Sequence, residues 1–209
     1  MIYLVGGSPR CGKTTLSKAI ARNKRISFIS VDVLRPMIMS SYKVSELKGL
    51  FPSESVKTPK GKFRFEVIDA KEAIRIMNVE SKTTWPPVKA LIEKLIEREE
   101  DYIIEGANLM PKLLKQLKGT KYWKHIKVVY LVKTDLEKIK SGFAKTTKGV
   151  YDWMYPHIKD DNNRITMAGK YVQGYGTYFE KEAKKYGFKV FNTQDDFKEV
   201  LKAAQKHLC

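Results

Sequence analysis

Residues 7–14 match the pattern G-x-x-x-x-G-K-[ST], a spacing that is typical of loops which bind phosphate groups. An apolar run at residues 1–5 precedes the match, and residues 14–21 follow it with apolar side chains at helical spacing. In this order of strand, loop and helix, the loop N–H groups and the positive end of the helix together attract an anion. The residues predicted to surround the phosphates are consecutive: Gly7, Ser8, Pro9, Arg10, Cys11, Gly12, Lys13, Thr14 and Thr15.

Lys13 and Thr14 have the most specific chemistry in this loop. A lysine at this position contacts the β- and γ-phosphates of a nucleoside triphosphate, and the next hydroxyl binds Mg²⁺. We therefore predict ATP and Mg²⁺ as ligands, with Lys13 as a catalytic cation and Thr14 as a metal ligand. Two interpretations remain open for Arg10, whose side chain either contacts the phosphates or faces water.

Asp32 ends a second apolar, β-branched run at residues 26–32, and Arg35 follows it by three positions. Ligands of open α/β sheets bind at the carboxyl ends of strands, which is where Asp32 is expected. If a helix begins near Val33, Asp32 and Arg35 point to the same side. Asp32 is then either a general base for an acceptor hydroxyl or the N-cap of that helix, and Arg35 is a candidate clamp for an anionic substrate.

Glu105 lies within a third predicted strand, residues 101–108, and is followed by Gly106. A glycine at a strand end indicates close backbone packing, which favours a buried position for the glutamate over a surface one. Glu105 is predicted to hold Mg²⁺ through water, to orient the acceptor or to contact an arginine. Asp32 is the alternative carboxylate for the water-mediated metal contact.

A basic, glycine-containing segment at about residues 138–165 is predicted to form a lid that closes over the phosphates. Its lysines include Lys138, Lys145 and Lys148. Arg164 is the one arginine in the chain after Arg98, so it is a candidate transition-state cation, with a surface residue as the alternative.

The elements that position these residues follow from alternating strand and helix patterns. Strands are predicted at residues 1–5, 26–32, 101–108, 126–132 and 189–192, which together form a parallel sheet with helices on both faces. The chain is predicted to be one α/β domain, residues 1–209, with its core at residues 1–35, 101–135 and 186–209.

The segment at about residues 36–100 is longer than one crossover helix requires. It is predicted to be a helical insert that covers the acceptor, with helices at residues 63–78 and 88–100 separated by Trp85, Pro86 and Pro87. Three of its side chains either line the acceptor pocket or are structural: Arg64, Arg75 and Trp85.

The 209 residues have a formal net charge of +17, but 32 of the 40 basic residues are lysine and only 8 are arginine. A nucleic-acid partner is one explanation, and a solvated lysine-rich surface is the favoured one, because nucleic-acid sites often use arginine for bidentate contacts. Two cysteines, Cys11 and Cys209, exclude a disulfide framework or a zinc spacing. Without a basic leader or an apolar run of about 20 residues, we expect a cytoplasmic protein with no membrane contact.

The run GGSPRCGKTT at residues 6–15, Asp32 with Arg35, and Glu105 with Gly106 resemble the small P-loop kinases. These include nucleoside-monophosphate, shikimate and gluconate kinases, chloramphenicol phosphotransferase and zeta-toxin-like kinases. The resemblance implies a strand order of 2-3-1-4-5, ATP with Mg²⁺, an acceptor-binding insert after the second strand and a lid after the fourth. It also implies that Asp32 takes a proton from the acceptor.

Residues 103–111 are in addition similar to a segment of 2-phosphoglycerate kinase-like proteins. Kinases of this group often carry several lid arginines, whereas this lid is lysine-rich with Arg164 alone. The predicted activity is transfer of the ATP γ-phosphate to a small-molecule acceptor. The alternative, motivated by the net charge, is a nucleotide-dependent RNA-binding or regulatory protein, or a kinase of nucleic-acid ends.

Overall fold

A computed structural model of the protein describes residues 1–143, 145 and 154–209. Five strands form one parallel sheet in the order β2-β3-β1-β4-β5, which confirms the predicted α/β fold and strand order. The strands are β1 (Ile2–Gly7), β2 (Ser27–Ser30), β3 (Tyr102–Glu105), β4 (Ile126–Val132) and β5 (Lys189–Asn192).

Helices cover both faces of the sheet and also form the insert between β2 and β3. The helices of the described residues are α1 (Lys13–Lys24), α2 (Val31–Met39), α3 (Val44–Leu50), α4 (Arg64–Val67), α5 (Ala70–Glu97), α6 (Pro111–Leu114), α7 (Leu136–Gly142), α8 (Asn162–Lys185) and α9 (Phe197–Leu208). Short 3₁₀ segments lie at Pro52–Ser55, Lys115–Leu117, Trp123–His125 and Tyr155–His157.

Strand β1 lies at the centre of the sheet and all six of its residues are buried. Val5 is in register with Glu105 of β3 and with Val129 of β4, so the loop after β1 begins beside the end of β3. Because the strands are parallel, their carboxyl ends meet at one edge, and this edge holds the P-loop.

Each face of the sheet has its own apolar core. The larger core packs α5 and α8 against the sheet around Ile92, Tyr130 and Phe179, all of which are fully buried. The smaller core packs α1 and α9 against the other face, with Leu16 and Leu208 among its buried residues. Burial on both faces explains the near-continuous apolar character of the central strands.

The prediction of two helices separated at Pro86 and Pro87 is wrong, because α5 runs through both prolines without interruption. Neither proline can donate a helical hydrogen bond, but Trp85 and Val88 beside them are buried in the larger core. Packing of this apolar face therefore outweighs the local cost of the prolines. The break lies earlier instead, where Asp69 caps the start of α5.

The second strand is shorter than predicted and does not end on Asp32. It ends at Ser30, whose side chain accepts a hydrogen bond from the Asp32 N–H and so caps α2. Asp32 is therefore in the first turn of α2, and the alternative role of Asp32 as the N-cap is wrong.

Helix α8 is continuous although its sequence contains Gly169, Gly174 and Gly176. A Cβ on Gly176 would lie 1.8 Å from the backbone oxygen of Lys133, and one on Gly174 would lie 2.4 Å from the Cβ of Ala70. The glycines thus allow α8 to pack directly against the end of β4 and against α5. Within the residues that the structure describes, no helix is both long and apolar enough to cross a bilayer.

Candidate active site

The P-loop has the backbone that its glycines make possible. Gly7 and Gly12 have φ values of +129° and +96°, in the region that side chains disfavour. A Cβ on Gly7 would lie 1.9 Å from the Leu131 oxygen, so no larger residue fits there. Inside the loop, the Lys13 ammonium donates a hydrogen bond to the Ser8 oxygen at 2.7 Å, and the buried Cys11 thiol donates to the same oxygen.

Arg10 lies within the loop and has an unusual backbone, φ +56°. Its guanidinium donates to the Phe143 oxygen at 3.2 Å and lies 4.8 Å from the centre of the Phe143 ring. Arg10 therefore holds the end of the α7 segment against the P-loop, and it also lines the cleft described below.

Thr14 and Glu105 meet at the carboxyl edge of the sheet. The Thr14 hydroxyl donates to Oε1 of Glu105 at 3.1 Å, although the two residues are 91 positions apart in the chain. Burial raises the pKa of the Glu105 carboxyl, the nearby Lys13 ammonium opposes that rise, and the field of Asp32 adds to it. The site therefore joins one hydroxyl and one buried carboxylate beneath the phosphate loop.

A cleft of about 1410 Å³ opens over this pair. One end is formed by the P-loop, Lys133 and residues 193–198, which follow β5. The other end is formed by Asp32, by the first half of α5 and by three side chains from the neighbouring helices: Arg64, Tyr171 and Tyr175. The cleft thus brings together the P-loop, Asp32 and Glu105, as the sequence predicts.

Sequence analysis does not single out Lys133, although it lies in this cleft directly after β4. Burial lowers the pKa of its ammonium, and the positive charges of Arg10 and Lys145 lower it further. A lysine that ends a strand beside the P-loop could have been found from the carboxyl-edge rule that pointed to Asp32 and Glu105.

The end of the cleft beside the insert contains hydrogen-bond donors that are not fully used. Arg64 donates to the Ser53 oxygen at 2.9 Å, and no carboxylate of the described residues lies within ion-pair distance of it. Among the described residues, the buried hydroxyls of Tyr171 and Tyr175 have only each other as partners, at 3.4 Å. Two hydroxyls that share one hydrogen bond leave at least one O–H free to donate.

Arg35 lies outside this cleft lining, in a polar network of the insert. Its guanidinium donates to Glu80 at 3.2 Å, to Glu54 at 2.9 Å and to the Ser53 hydroxyl at 2.8 Å, and it stacks on Phe51. The predicted role of Arg35 as an acceptor clamp stays a prediction.

Arg164 lies in the first turn of α8 and contacts the insert, not the P-loop. It pairs with Glu66 at 3.3 Å, donates to the Gly61 oxygen at 2.8 Å and lies 5.9 Å from the Phe63 ring centre. Of the predicted lid lysines, Lys138 and Lys145 line the cleft, whereas Lys148 is outside the described residues. The roles of Arg164 and of the lid stay predictions.

The residues at the P-loop fit a magnesium ion. Mg²⁺ prefers oxygen ligands and is often held by one or two protein groups together with substrate phosphates and water. Thr14 and Glu105 offer a hydroxyl and a carboxylate side by side, and Asp32 lines the same cleft. Among the described residues there is no cluster of three or more acidic, histidine or cysteine side chains that could hold a metal without a substrate.

Fold and site together define an α/β protein with a P-loop at the carboxyl edge of a five-stranded parallel sheet, a fold that it shares with solved kinases. Solved structures support this class. A gluconokinase from Sinorhizobium meliloti matches with a TM-score of 0.53 at 14% identity, over 99% of this chain and 90% of that one. A sugar kinase from Janibacter sp. matches with a TM-score of 0.53 at 13% identity, over 99% of this chain and 93% of that one. These similarities show the fold, and no family model or curated protein matches the sequence.

Proposed function

We propose that the protein is an ATP-dependent phosphotransferase, which transfers the γ-phosphoryl group to a small molecule held by the helical insert. The main support is the hydrogen-bonded pair of Thr14 and Glu105 beneath the P-loop, at the floor of a cleft that extends to the insert. At about 1410 Å³ the cleft exceeds the roughly 300–1,000 Å³ of a site for one small ligand. It therefore has room for a nucleotide and an acceptor together.

In this proposal the backbone of residues 7–15 holds the ATP phosphates. Lys13 leaves the Ser8 oxygen for the β- and γ-phosphates and offsets charge on the group in transfer. Thr14 and Glu105 would hold the metal, with Asp32 as a contact through water. When bound, Mg²⁺ supplies charge neutralisation at the phosphate oxygens. Residues 193–198 contact the remainder of the nucleotide at the far end of the cleft.

Asp32 is proposed to act on the acceptor. Its carboxylate lies in the cleft between the P-loop and the insert, where an acceptor hydroxyl must approach the γ-phosphate. Asp32 accepts the proton of that hydroxyl and so orients the attacking oxygen. If the acceptor group is a phosphate, its oxygen is already deprotonated and Asp32 serves only to position it.

The free donors at the acceptor end indicate what the acceptor carries. Arg64 offers guanidinium N–H groups, and the Tyr171 and Tyr175 pair offers at least one O–H. Donors of this kind require accepting oxygens on the ligand, and a guanidinium favours a carboxylate or phosphate. We therefore include in the proposal an acceptor with an anionic group. Arg35 shapes this end through Glu80, and Arg164 closes on the phosphates if the lid moves.

The proposal is tested by ATP consumption against acceptors arranged as charged and neutral pairs, such as sugar acids with the parent sugars and phosphate monoesters with the free alcohols. One acid that stimulates ATP consumption in the native chain, and not in Lys13→Ala, supports the proposal. Arg64→Gln should then raise the KM for that acid at least tenfold while the KM for ATP stays unchanged. ATP binding without stimulation by any acceptor would favour the regulatory or RNA-binding alternative.

A further inference from the structure

A lysine-rich surface lies at the edge of the sheet opposite the cleft. None of the residues between Glu105 and Asp135 is acidic, and lysine recurs at every third position from Lys112 to Lys127. The later part of this segment precedes β4, so it lies at the amino ends of the strands. No residue from 109 to 132 lines the cleft, so this charge does not serve ATP binding there.

Three ammonium groups of this surface surround one residue, Tyr186: two lie against its ring and the third binds its backbone oxygen. Lys115 and Lys185 each lie 5.5 Å from the centre of its ring. Lys118 donates to the Tyr186 backbone oxygen at 2.5 Å and lies 4.4 Å from the ring centre of Phe188. Because like charges repel, their convergence is unfavourable in the free protein and becomes favourable when an anion is bound.

Within residues 1–143, 145 and 154–209, no carboxylate forms an ion pair with Lys115, Lys118 or Lys185, and this includes Glu182, one turn before Tyr186. Glu97, on this edge, is already engaged, because it accepts a hydrogen bond from the Tyr122 hydroxyl and pairs with Lys94. The described residues therefore leave these ammonium groups without an anionic partner, and we expect that partner from outside the chain.

Aromatic rings lie between the lysines. Tyr122, Trp123 and Tyr186 are each partly exposed, and Lys121 lies 5.0 Å from the Tyr122 ring centre. Alternation of cations with accessible rings is the pattern of sites for single-stranded nucleic acid, where phosphates contact the cations and bases stack on the rings.

We propose that this surface binds single-stranded nucleic acid, independently of the catalytic cleft. We define it by Lys115, Lys118, Lys121, Lys185 and Tyr186 and call it the lysine–tyrosine surface. A membrane would instead require exposed apolar side chains among the lysines. The most exposed large apolar residues of the described chain lie elsewhere: Val33, Met37, Val44, Val67 and Met167.

Binding to a fluorescent oligouridylate of about 12 nucleotides tests the proposal, with saturating Mg²⁺ and ATP present so that the P-loop is occupied. The main variant replaces Lys115, Lys118 and Lys185 by glutamine. The control variant removes the same charge from three exposed lysines elsewhere: Lys71, Lys82 and Lys206. A double variant, Lys115→Gln with Lys185→Gln, keeps the half-buried Lys118 and provides the test if the main variant does not fold.

We expect the main variant to lose at least tenfold in affinity and the control variant to keep the affinity of the native chain. The slope of log K against log salt concentration should become shallower by about 2, since each single-strand phosphate contact contributes roughly 0.7. The double variant should show an intermediate loss. Inorganic polyphosphate of equal charge should compete weakly, because it has no bases to stack.

Equal losses in the main and control variants would overturn the proposal, since net charge alone would then explain binding. Equal competition by polyphosphate would contradict the role of the rings. Preferential binding to phosphatidylserine vesicles through the same lysines would assign the surface to a membrane, and would also overturn it. Because ATP occupies the cleft throughout, none of these outcomes depends on the proposed kinase activity.

Discussion

At the scale of single residues, the Thr14 and Glu105 pair links the phosphate loop to the next strand. Burial raises the pKa of the Glu105 carboxyl, so the ionised form is costly in the free protein. A bound cation removes that cost. Metal affinity is therefore expected to rise with pH as Glu105 ionises.

Replacement of Glu105 by glutamine tests this coupling. Since the folded-state pKa is raised, folding loses stability as pH increases from the unfolded pKa through the folded pKa. Glu105→Gln should therefore raise the melting temperature of the nucleotide-free protein at pH 7 and leave it unchanged near pH 4. The variant should also lose the additional thermal stabilisation that Mg²⁺ confers in the presence of ADP.

Glu105→Asp provides the comparison, because it retains a carboxylate at a shorter reach. A melting temperature for Glu105→Gln that equals the native value at every pH would show that the carboxyl carries no cost of burial.

Asp32→Asn tests the proposed base. The side chain keeps its size and its place in the first turn of α2, but it can no longer accept a proton. We expect turnover with a hydroxyl acceptor to fall by about 10²-fold or more, while the Kd for ATP remains within a factor of two of the native value. Steady-state kinetics with calorimetric titration of ATP measure both quantities.

Leu34→Ala is the control, since it loosens the packing of α2 on the larger core at a residue outside the cleft lining. If Asp32→Asn and Leu34→Ala reduce turnover equally, Asp32 acts through the helix and not on the acceptor.

The sequence places the P-loop and Glu105 at one edge of the sheet, as the structure does, because local patterns determine these elements. Lys13 and Thr14 belong to a continuous motif, and Glu105 ends an unmistakable strand. The acceptor end depends on contacts between distant segments. Packing of the insert brings Arg64 into the cleft and Arg35 beside Glu80. No local spacing in the sequence indicates which of the two arginines lines the cleft.

At the scale of elements, helix packing depends on small residues that sequence patterns treat as weak points. Gly176 lowers the intrinsic helix propensity of α8, yet it allows the helix to contact the backbone of Lys133. The same balance applies to Pro86 and Pro87 in α5. Local propensity predicts a break in the helix at each of these positions. The helix continues instead, because it buries the neighbouring side chains.

Gly176→Ala is expected to destabilise the protein by about 1–3 kcal/mol, the usual cost of overpacking. The added methyl group would lie 1.8 Å from the Lys133 oxygen, so α8 or the end of β4 must shift. Urea denaturation measures the loss, and a displaced Lys133 should also weaken ATP binding.

Gly49→Ala in α3 is the matched control, because nothing lies within 4 Å of the added Cβ. It should stabilise the protein by about 0.5–1 kcal/mol through helix propensity. Destabilisation by both substitutions would contradict the role of close packing at Gly176.

At the scale of the whole molecule, the P-loop and the strand ends around it form one binding edge. ATP that binds only the folded chain stabilises it by about 2.7 kcal/mol at a hundred times its Kd. For a domain of this size that corresponds to a rise in melting temperature of roughly 5–10 °C. Lys13→Ala should abolish most of the rise, as a thermal melt with and without Mg²⁺ and ATP would show.

Arg75→Ala is a suitable comparison, because Arg75 is exposed and pairs with Glu72 on the outer face of α5. A full thermal response to ATP in Lys13→Ala would contradict the assignment of the loop.

The two halves of helix α5 have different surroundings and therefore tolerate substitution differently. Its first half lines the acceptor end of the cleft, and its second half packs Val88, Ile92 and Leu95 into the larger core. It is also the connection that carries the chain from β2 back to β3. Under the proposed function, substitutions in the first half would change which molecule is bound while the second half keeps its packing, whereas deletion of the whole insert would break the connection between β2 and β3. Substrate choice would therefore evolve by point mutation and not by loss of the insert.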